Sequence, residues 1–264
     1  MNGGDDTDLK EMINVVGVSH KYQSADGETE TVLDINFTVN EGEFLGIVGP
    51  SGCGKSTILS IISGLEKPSK GEVFVDGEKV EGITEKIGYM LQRDNLLEWR
   101  SIEKNVLLGL EIQHKLSREN IDYAEELLNK YGLWEWRNKR PSQLSGGMRQ
   151  RAALIRTLLI RPKALLLDEA FSALDFQTRI TVTDDVYRIL KDEGMTTVMV
   201  SHDIPESVSM ADKIMALSSR PARVKKIHEI KFGSEFLTPL ERRNAPEFGQ
   251  YFNTIWKELD INGE

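Results

Sequence analysis

The sequence holds a single cysteine, Cys53, among 264 residues. No intramolecular disulfide can form, and a reducing compartment is the natural setting. Long apolar runs are also missing. Ala164-Leu165-Leu166-Leu167 and Thr197-Val198-Met199-Val200 fall far short of the roughly 20 residues a membrane helix needs. Nor is there a surplus of basic charge: 33 Lys and Arg stand against 42 Asp and Glu, giving a net charge of −9. A nucleic-acid binder normally shows a basic face, so nucleic acid is not an expected partner. The opening stretch, MNGGDDTDLKEM, lacks the basic-then-apolar order of a signal peptide. The expectation is a cytoplasmic chain that would borrow another protein's membrane span for any membrane role. No internal repeat or low-complexity segment is evident.

What remains is ordinary for a globular protein, with 39% hydrophobic and 28% charged residues and length enough for a sizeable core. Leu33, Ile35, Phe37 and Val39 alternate with polar residues, which predicts a strand with one wet face. Glu43 to Val48 is more continuously apolar, as in a buried parallel strand. Ile58, Leu59, Ile61, Ile62 and Leu65 follow at helical spacing, with Gly64 and Pro68 as stop signals. Gly71 to Val80 reads as a hairpin turning at Asp76-Gly77. Residues 95–160 read as mainly helical, with Ile121, Ala124, Leu127, Leu128 and Tyr131 on one face. Buried strands return at Ala164 to Leu167, Thr196 to Val200 and Lys213 to Leu217. This alternation predicts an α/β core with a parallel sheet. A last apolar stripe, Phe248, Tyr251, Phe252, Ile255, Trp256 and Leu259, predicts a helix packed on its own domain.

Between a predicted strand and a predicted helix lie Gly49, Pro50, Ser51, Gly52, Cys53, Gly54, Lys55, Ser56 and Thr57, matching G-x-x-x-x-G-K-[ST]. Glycines let successive N–H groups turn inward and form an anion nest at the helix N-terminus. Lys55 adds a point charge for the outer phosphates, and the Ser56 hydroxyl suits a Mg²⁺ shell. Leu165 to Glu169 then ends a buried strand on two carboxylates. Asp168 is placed to hold Mg²⁺, and Glu169 to orient or deprotonate an attacking water. These elements point to nucleotide binding without choosing among kinases, GTPases and ATPases. A guanine-reading N-K-x-D is absent, since Asn129-Lys130-Tyr131-Gly132 lacks the aspartate. Cys53 has two readings: a tolerated variable position in the loop, or a thiol beside the phosphates whose alkylation would block ATP.

Leu144-Ser145-Gly146-Gly147-Met148-Arg149-Gln150-Arg151 resembles the signature sequence of ABC ATPases. It opens an apolar-periodic helix, again a terminus with uncovered donors. The resemblance runs in order through nearly the whole chain. It implies that Tyr22 stacks on adenine, that Gln92 senses the γ-phosphate and joins the metal shell, and that His202 contacts the γ-phosphate. It also implies that Ser172-Ala173-Leu174-Asp175 meets a partner subunit, with Ser145, Gly146 and Gly147 facing the other copy's phosphate loop and Asp175 nearby. Lys55, Gln92, Glu169 and His202 are thereby the expected catalytic set.

The implied fold is α/β: a P-loop NTPase (RecA-like) core with an antiparallel β subdomain and an inserted helical subdomain carrying the signature. Residues 1–264 would form one ABC ATPase domain. Residues 12–94 and 160–224 would be the nucleotide-binding core, 95–159 the helical subdomain, and 225–264 a C-terminal extension. Implied ligands are ATP and Mg²⁺. Implied partners are a second copy, an integral-membrane permease and, indirectly, a periplasmic or lipid-anchored substrate-binding protein, with the chain on the cytoplasmic face of the membrane.

Non-transport relatives carry a long coiled coil or a second cassette. The gap from Ile58 to Gln143 is short and without sustained heptads, and one cassette is present, which favours a separate transporter subunit; a non-transport ABC ATPase acting on a soluble or nucleic-acid partner is the alternative. Leu96 to Ser101, Met148 and Leu217 to Val224 resemble the nitrate/sulfonate/taurine importer ATPases. That group has Pro before the Trp, where this chain has Glu98.

Overall fold

The computed structural model describes residues 10–24, 27–234 and 237–259. The first nine residues, read above for targeting signals, lie outside them. In chain order, β1 (Glu11–Ser24) pairs antiparallel with β2 (Gly27–Asn40), and β3 (Phe44–Val48) runs towards α1 (Lys55–Ile62). The hairpin of β4 (Lys70–Val75) and β5 (Glu78–Lys79) follows, then β6 (Ile87–Met90). Four α-helices come next, α2 (Ile102–Val106), α3 (Leu108–Ile112), α4 (Arg118–Lys130) and α5 (Gly146–Leu158), with short 3-10 turns at Trp134–Trp136 and Pro141–Gln143 between the last two. The chain then alternates through β7 (Ala164–Asp168), α6 (Phe176–Asp192), β8 (Thr196–Val200), α7 (Ile204–Met210) and β9 (Lys213–Leu217). It closes with β10 (Val224–Glu229), α8 (Pro239–Asn244) and α9 (Pro246–Leu259).

Two sheets result. One is antiparallel, in the order β2-β1-β4-β5; the other runs β10-β9-β3-β8-β7-β6. In the second, β9, β3, β8, β7 and β6 are parallel and only β10 is reversed. The continuous apolar runs are explained by burial on both faces. Leu45, Ile47, Leu166, Val198 and Met215 point to a core shared with the antiparallel sheet and α1. Their neighbours Phe44, Leu165, Leu167, Met199 and Ile214 point to a second core under the helices. The period-two geometry of a strand thus feeds two separate cores. Among the described residues no helix is long and apolar enough to cross a membrane.

Three apolar expectations are corrected. Leu33 is only half-buried, because Asp34 takes a positive φ of 52° and the β1–β2 register shifts there, so Val32 faces inward instead. Leu65 is 55% exposed: α1 ends at Ile62, and Gly64 turns the chain away at φ 76°. A Cβ on Gly64 would stand 1.9 Å from the Gly82 carbonyl oxygen, so only glycine fits this crossing. Trp256 is 57% exposed, although Ile255 beside it is fully buried.

The sheet continues through Glu229, into the segment expected to be an extension, and α9 packs on α7 and β9. Ile255 therefore anchors α9 in the core beneath the helices. Ile255→Ala should cost about 2–5 kcal/mol of unfolding free energy, measured by urea denaturation. A loss below about 1 kcal/mol would mean that α9 is peripheral to the folding unit.

Candidate functional site

The C-terminal ends of β3, β7 and β8 lie side by side, with Ile47 opposite Val200 and Val200 opposite Asp168. Two further backbone bonds extend this alignment past the strands. The Glu169 N–H donates to the Val200 carbonyl at 3.0 Å, and the Ser201 N–H to the Ile47 carbonyl at 3.2 Å. The phosphate-loop motif, the Asp168-Glu169 pair and Ser201-His202 therefore emerge together, where open α/β sheets present groups to ligands.

The loop from Gly49 to Thr57 turns through Gly52 (φ 70°) and Gly54 (φ 127°). A Cβ on Gly54 would meet Val32 Cγ1 at 2.8 Å and the Thr31 carbonyl oxygen at 3.0 Å. Gly54 caps α1 without a side-chain acceptor, so the first-turn N–H groups are left for an anion. Lys55 is 5% exposed and donates to the Gly49 and Pro50 carbonyls at 2.9 and 3.0 Å. Ser56 Oγ donates to Asp168 Oδ1 at 2.9 Å, and Tyr89 OH donates to Asp168 Oδ2 at 3.2 Å. Burial pushes the Asp168 carboxyl up, against the two hydroxyl bonds that pull it down. Next to it, Glu169 holds a left-handed φ of 47°, and His202 Nδ1 lies 3.2 Å from its Oε2.

A cavity of about 290 Å³ opens here, lined by Tyr22, Thr31, Ser51, Gly52, Gly54, Lys55, Ser56, Thr57, Glu169 and Arg220. Tyr22 OH stands 3.4 Å from Thr57 Oγ1, and the His20 ring meets the Tyr22 ring edge-on at 4.6 Å. A larger cavity of about 1070 Å³ lies at the opposite end of the strands, around Glu43, Asp212, Lys213 and Arg242. Its charges already satisfy one another, as in Lys213–Glu43 at 2.6 Å and Lys191–Asp212 at 3.1 Å. The smaller cavity is the one where the phosphate loop and the carboxylates converge.

Other expected residues stand apart from this cavity. Gln92 donates to Ser172 Oγ at 3.1 Å, so of the expected metal set the structure joins Ser56 and Asp168 but leaves Gln92 elsewhere. The Cys53 side chain is 1% exposed and packs in the core between the sheets, where burial pushes its thiol pKa up. This corrects the reading of Cys53 as a thiol facing phosphate. Its side chain does not line the cavity, and its N–H is spent on the Pro50 carbonyl at 3.3 Å.

Ser145 caps α5, its Oγ accepting from the Met148 N–H at 3.3 Å. A Cβ on Gly147 would meet Val182 at 2.6 Å, and one on Gly146 would meet Leu174 at 3.0 Å. None of Ser145, Gly146 and Gly147 lines the cavity of their own chain. Asp175 caps α6, accepting from the Thr178 N–H at 3.0 Å. Tyr89, Thr31 and Arg220 went unassigned in the sequence. Tyr89 and Thr31 carry no chemical motif of their own there, and Arg220 enters only within the Leu217 to Val224 segment of family resemblance.

The loop carrying His202 is fastened from behind. Arg179 donates to Asp203 at 3.3 Å and to the Ser172 and Leu174 carbonyls at 3.3 and 2.8 Å. Ser201 Oγ donates to the buried Glu206 carboxylate at 2.5 Å and accepts from the Asp203 N–H at 3.0 Å.

The ABC transporter family model matches residues 32–172. The chain belongs to the ABC transporter family. This cassette is 47% identical to an uncharacterised ABC transporter ATP-binding protein, YtlC, of Bacillus subtilis, over 94% of this chain and 95% of that one. It is 36% identical to the aliphatic sulfonates import ATP-binding protein SsuB of Bacillus licheniformis, over 88% of each chain. It is 34% identical to the nitrate import ATP-binding protein NrtD of Synechocystis, over 92% of this chain and 93% of that one. Among solved structures, it superimposes on the dimeric post-hydrolysis state of the ATP-binding cassette MJ0796 bound to ADP and Pi. The TM-score is 0.69 at 30% identity, covering 83% of this chain and 99% of that one. The expected P-loop NTPase architecture, with its antiparallel sheet and helical insertion, is thus the fold of the cassette.

Burial pushes the Glu206 carboxyl up to about 6. A raised carboxylate pKa means that the unfolded chain ionises first, so stability is lost as pH rises from about 4.5 to about 6. Glu206→Gln removes that dependence. The variant should gain on the wild type by about 2 kcal/mol across this window, read from denaturation midpoints at pH 4.5 and pH 7. A constant difference between the two pH values would show that Glu206 does not titrate there.

Proposed function

We propose that the cassette is the ATP-binding and hydrolysing subunit of an ABC importer for a small anionic solute. In this reading it works as one of two copies beneath a separate membrane permease, on the cytoplasmic face of the membrane. One observation carries the proposal: the cavity joins a phosphate loop to the Asp168-Glu169 pair, while the signature residues Ser145 to Gly147 lie outside it. Each chain therefore offers half of a site, and the dimeric neighbour supports a second copy supplying the rest.

Adenine stacks on Tyr22, and the phosphates lie along the loop from Gly49 to Thr57. Lys55 leaves its two carbonyl partners to meet the outer phosphates. The hard oxygen donors of Ser56 and Asp168, already adjacent, suit Mg²⁺, which supplies charge neutralisation when bound. Tyr89 holds the Asp168 carboxylate for that task. Glu169 takes a proton from water as it attacks the terminal phosphorus, the bond from that phosphorus to the β–γ bridging oxygen breaks to release ADP, and His202, within reach of Glu169, steadies the γ-phosphoryl group in transfer to water. A second copy brings Ser145 and Gly147 onto that phosphate, so turnover requires closure.

The coupling surface is suggested by Trp99, 72% exposed in an otherwise braced loop. Arg100 grips Glu111 at 2.6 Å, and the Leu97 N–H donates to Asn105 at 2.6 Å. A rigid loop displaying a large apolar ring next to the Gln92 segment suits a permease helix. The cargo is an inference from the sulfonate and nitrate relatives, and so is a companion binding protein outside the membrane.

Glu169→Gln should keep ATP binding while lowering turnover by at least about a hundredfold, and should accumulate an ATP-bound dimer on gel filtration. Turnover near that of the wild type would remove Glu169 from the general-base role.

A further inference from the structure

Arg220 edges the nucleotide cavity, yet it belongs to none of the motifs that define the site. The turn that carries it is stitched to β2 rather than left loose. The Leu33 N–H donates to the Ala222 carbonyl at 2.9 Å, and the Ala222 N–H donates to the Thr31 carbonyl at 2.9 Å. Ala222 itself is fully buried. From this anchored turn the Arg220 guanidinium reaches back, Nη2 to Thr31 Oγ1 at 3.0 Å and Nε to the Glu30 carbonyl at 3.3 Å. Thr31 is the residue packed against Gly54 of the phosphate loop, so the guanidinium is tethered beside that loop.

Two further facts bear on what it meets there. A guanidinium has five N–H donors, and these two bonds leave others for a ligand. Among the described residues no carboxylate pairs with Arg220, although the chain carries 42 Asp and Glu against 33 Lys and Arg. Lys55 and Arg220 are the two cations lining the cavity.

We propose that Arg220 is a nucleotide-binding residue. Held by Thr31, it contacts the phosphate-bearing part of ATP from beside the phosphate loop. This rests on the ATP-binding reading above and adds to it a second cation supplied by the turn after β9. Planar, permanently charged and pre-positioned by two bonds, the guanidinium gives directional N–H contacts that an ammonium cannot copy.

The test is a titration of the full chain and its Arg220→Ala, Arg220→Lys and Thr31→Val variants with ATP, ADP, AMP and adenosine, followed by calorimetry, with melting temperatures as a check on folding. Arg220→Ala should weaken ATP about tenfold, with a smaller loss for AMP and none for adenosine. Arg220→Lys should recover only part of the loss. Thr31→Val, which keeps the cation but cuts its tether, should fall between wild type and Arg220→Ala. In turnover assays the defect should appear in KM more than in kcat. A folded Arg220→Ala variant with ATP affinity within twofold of wild type would overturn the proposal, as would an equal loss for adenosine and ATP. A wild-type chain that bound no ATP would instead overturn the functional reading on which it rests.

Discussion

The alignment of β3, β8 and β7 is the constraint on which the site depends. Strands buried on both faces are the hardest to shift, because a one-residue slip exchanges every side chain between faces. Here the two faces feed different cores: Val198 and Leu166 inward to the antiparallel sheet, Met199 and Leu167 to the helices. A slip would therefore misplace both sets at once. With register fixed, Ile47, Asp168 and Val200 end level. The loops beyond them then start from one line, and the 2.9 Å contact between Ser56 and Asp168, 112 residues apart, follows from it.

Behind that line, polar groups tie the loops to one another. Arg179 is the hub, binding the Ser172-to-Leu174 segment on one side and Asp203 on the other. Asp203 in turn caps α7 by accepting from the Glu206 N–H at 3.0 Å. Gln92 reaches the same segment through Ser172, whose hydroxyl donates to the Glu169 carbonyl at 2.9 Å. A displacement of the Ser172 segment by a partner chain would thus be felt at Glu169, His202 and Gln92 together. Apart from the exposed Gln92–Ser172 bond, these bonds are part-buried, where hydrogen bonds carry more than they do in water.

What the sequence made legible were the contiguous elements. The phosphate loop and the Asp168-Glu169 strand end each put their chemistry within a few residues, so spacing revealed them, while the signature helix was legible through its resemblance to ABC ATPases. The parallel strands were equally plain, because double-sided burial writes itself as uninterrupted apolar runs. Positions whose role depends on distant partners were not legible. Tyr89 matters through Asp168, and Arg220 through Thr31, and neither pair shares a local pattern. Leu33 and Leu65 misled for a related reason: a single positive φ, at Asp34 and at Gly64, broke a periodicity that the residue types continued. Cys53 sits inside a binding motif yet points into the core, because in a tight loop the backbone faces the ligand and side chains can turn away.

Glu169 shows how the fold fixes a proposed catalytic group through its backbone. A left-handed φ on a non-glycine residue costs about 1–2 kcal/mol, so it persists only where several bonds require it. Its N–H is held by Val200, and its carbonyl accepts from both the Ser172 N–H at 3.0 Å and the Ser172 hydroxyl. The next residue is fixed as well, with Gln150 of the signature helix donating to the Ala170 carbonyl at 2.8 Å. The position of the carboxylate is therefore set by strand register and by α5, not by contacts of the carboxylate itself. That leaves Oε2 to meet His202 from one side and, in the proposed mechanism, a water from the other. It also ties the orientation of Glu169 to the helix whose first turn lies outside its own cavity, so a partner seated on that turn would press on the backbone that aims the proposed base.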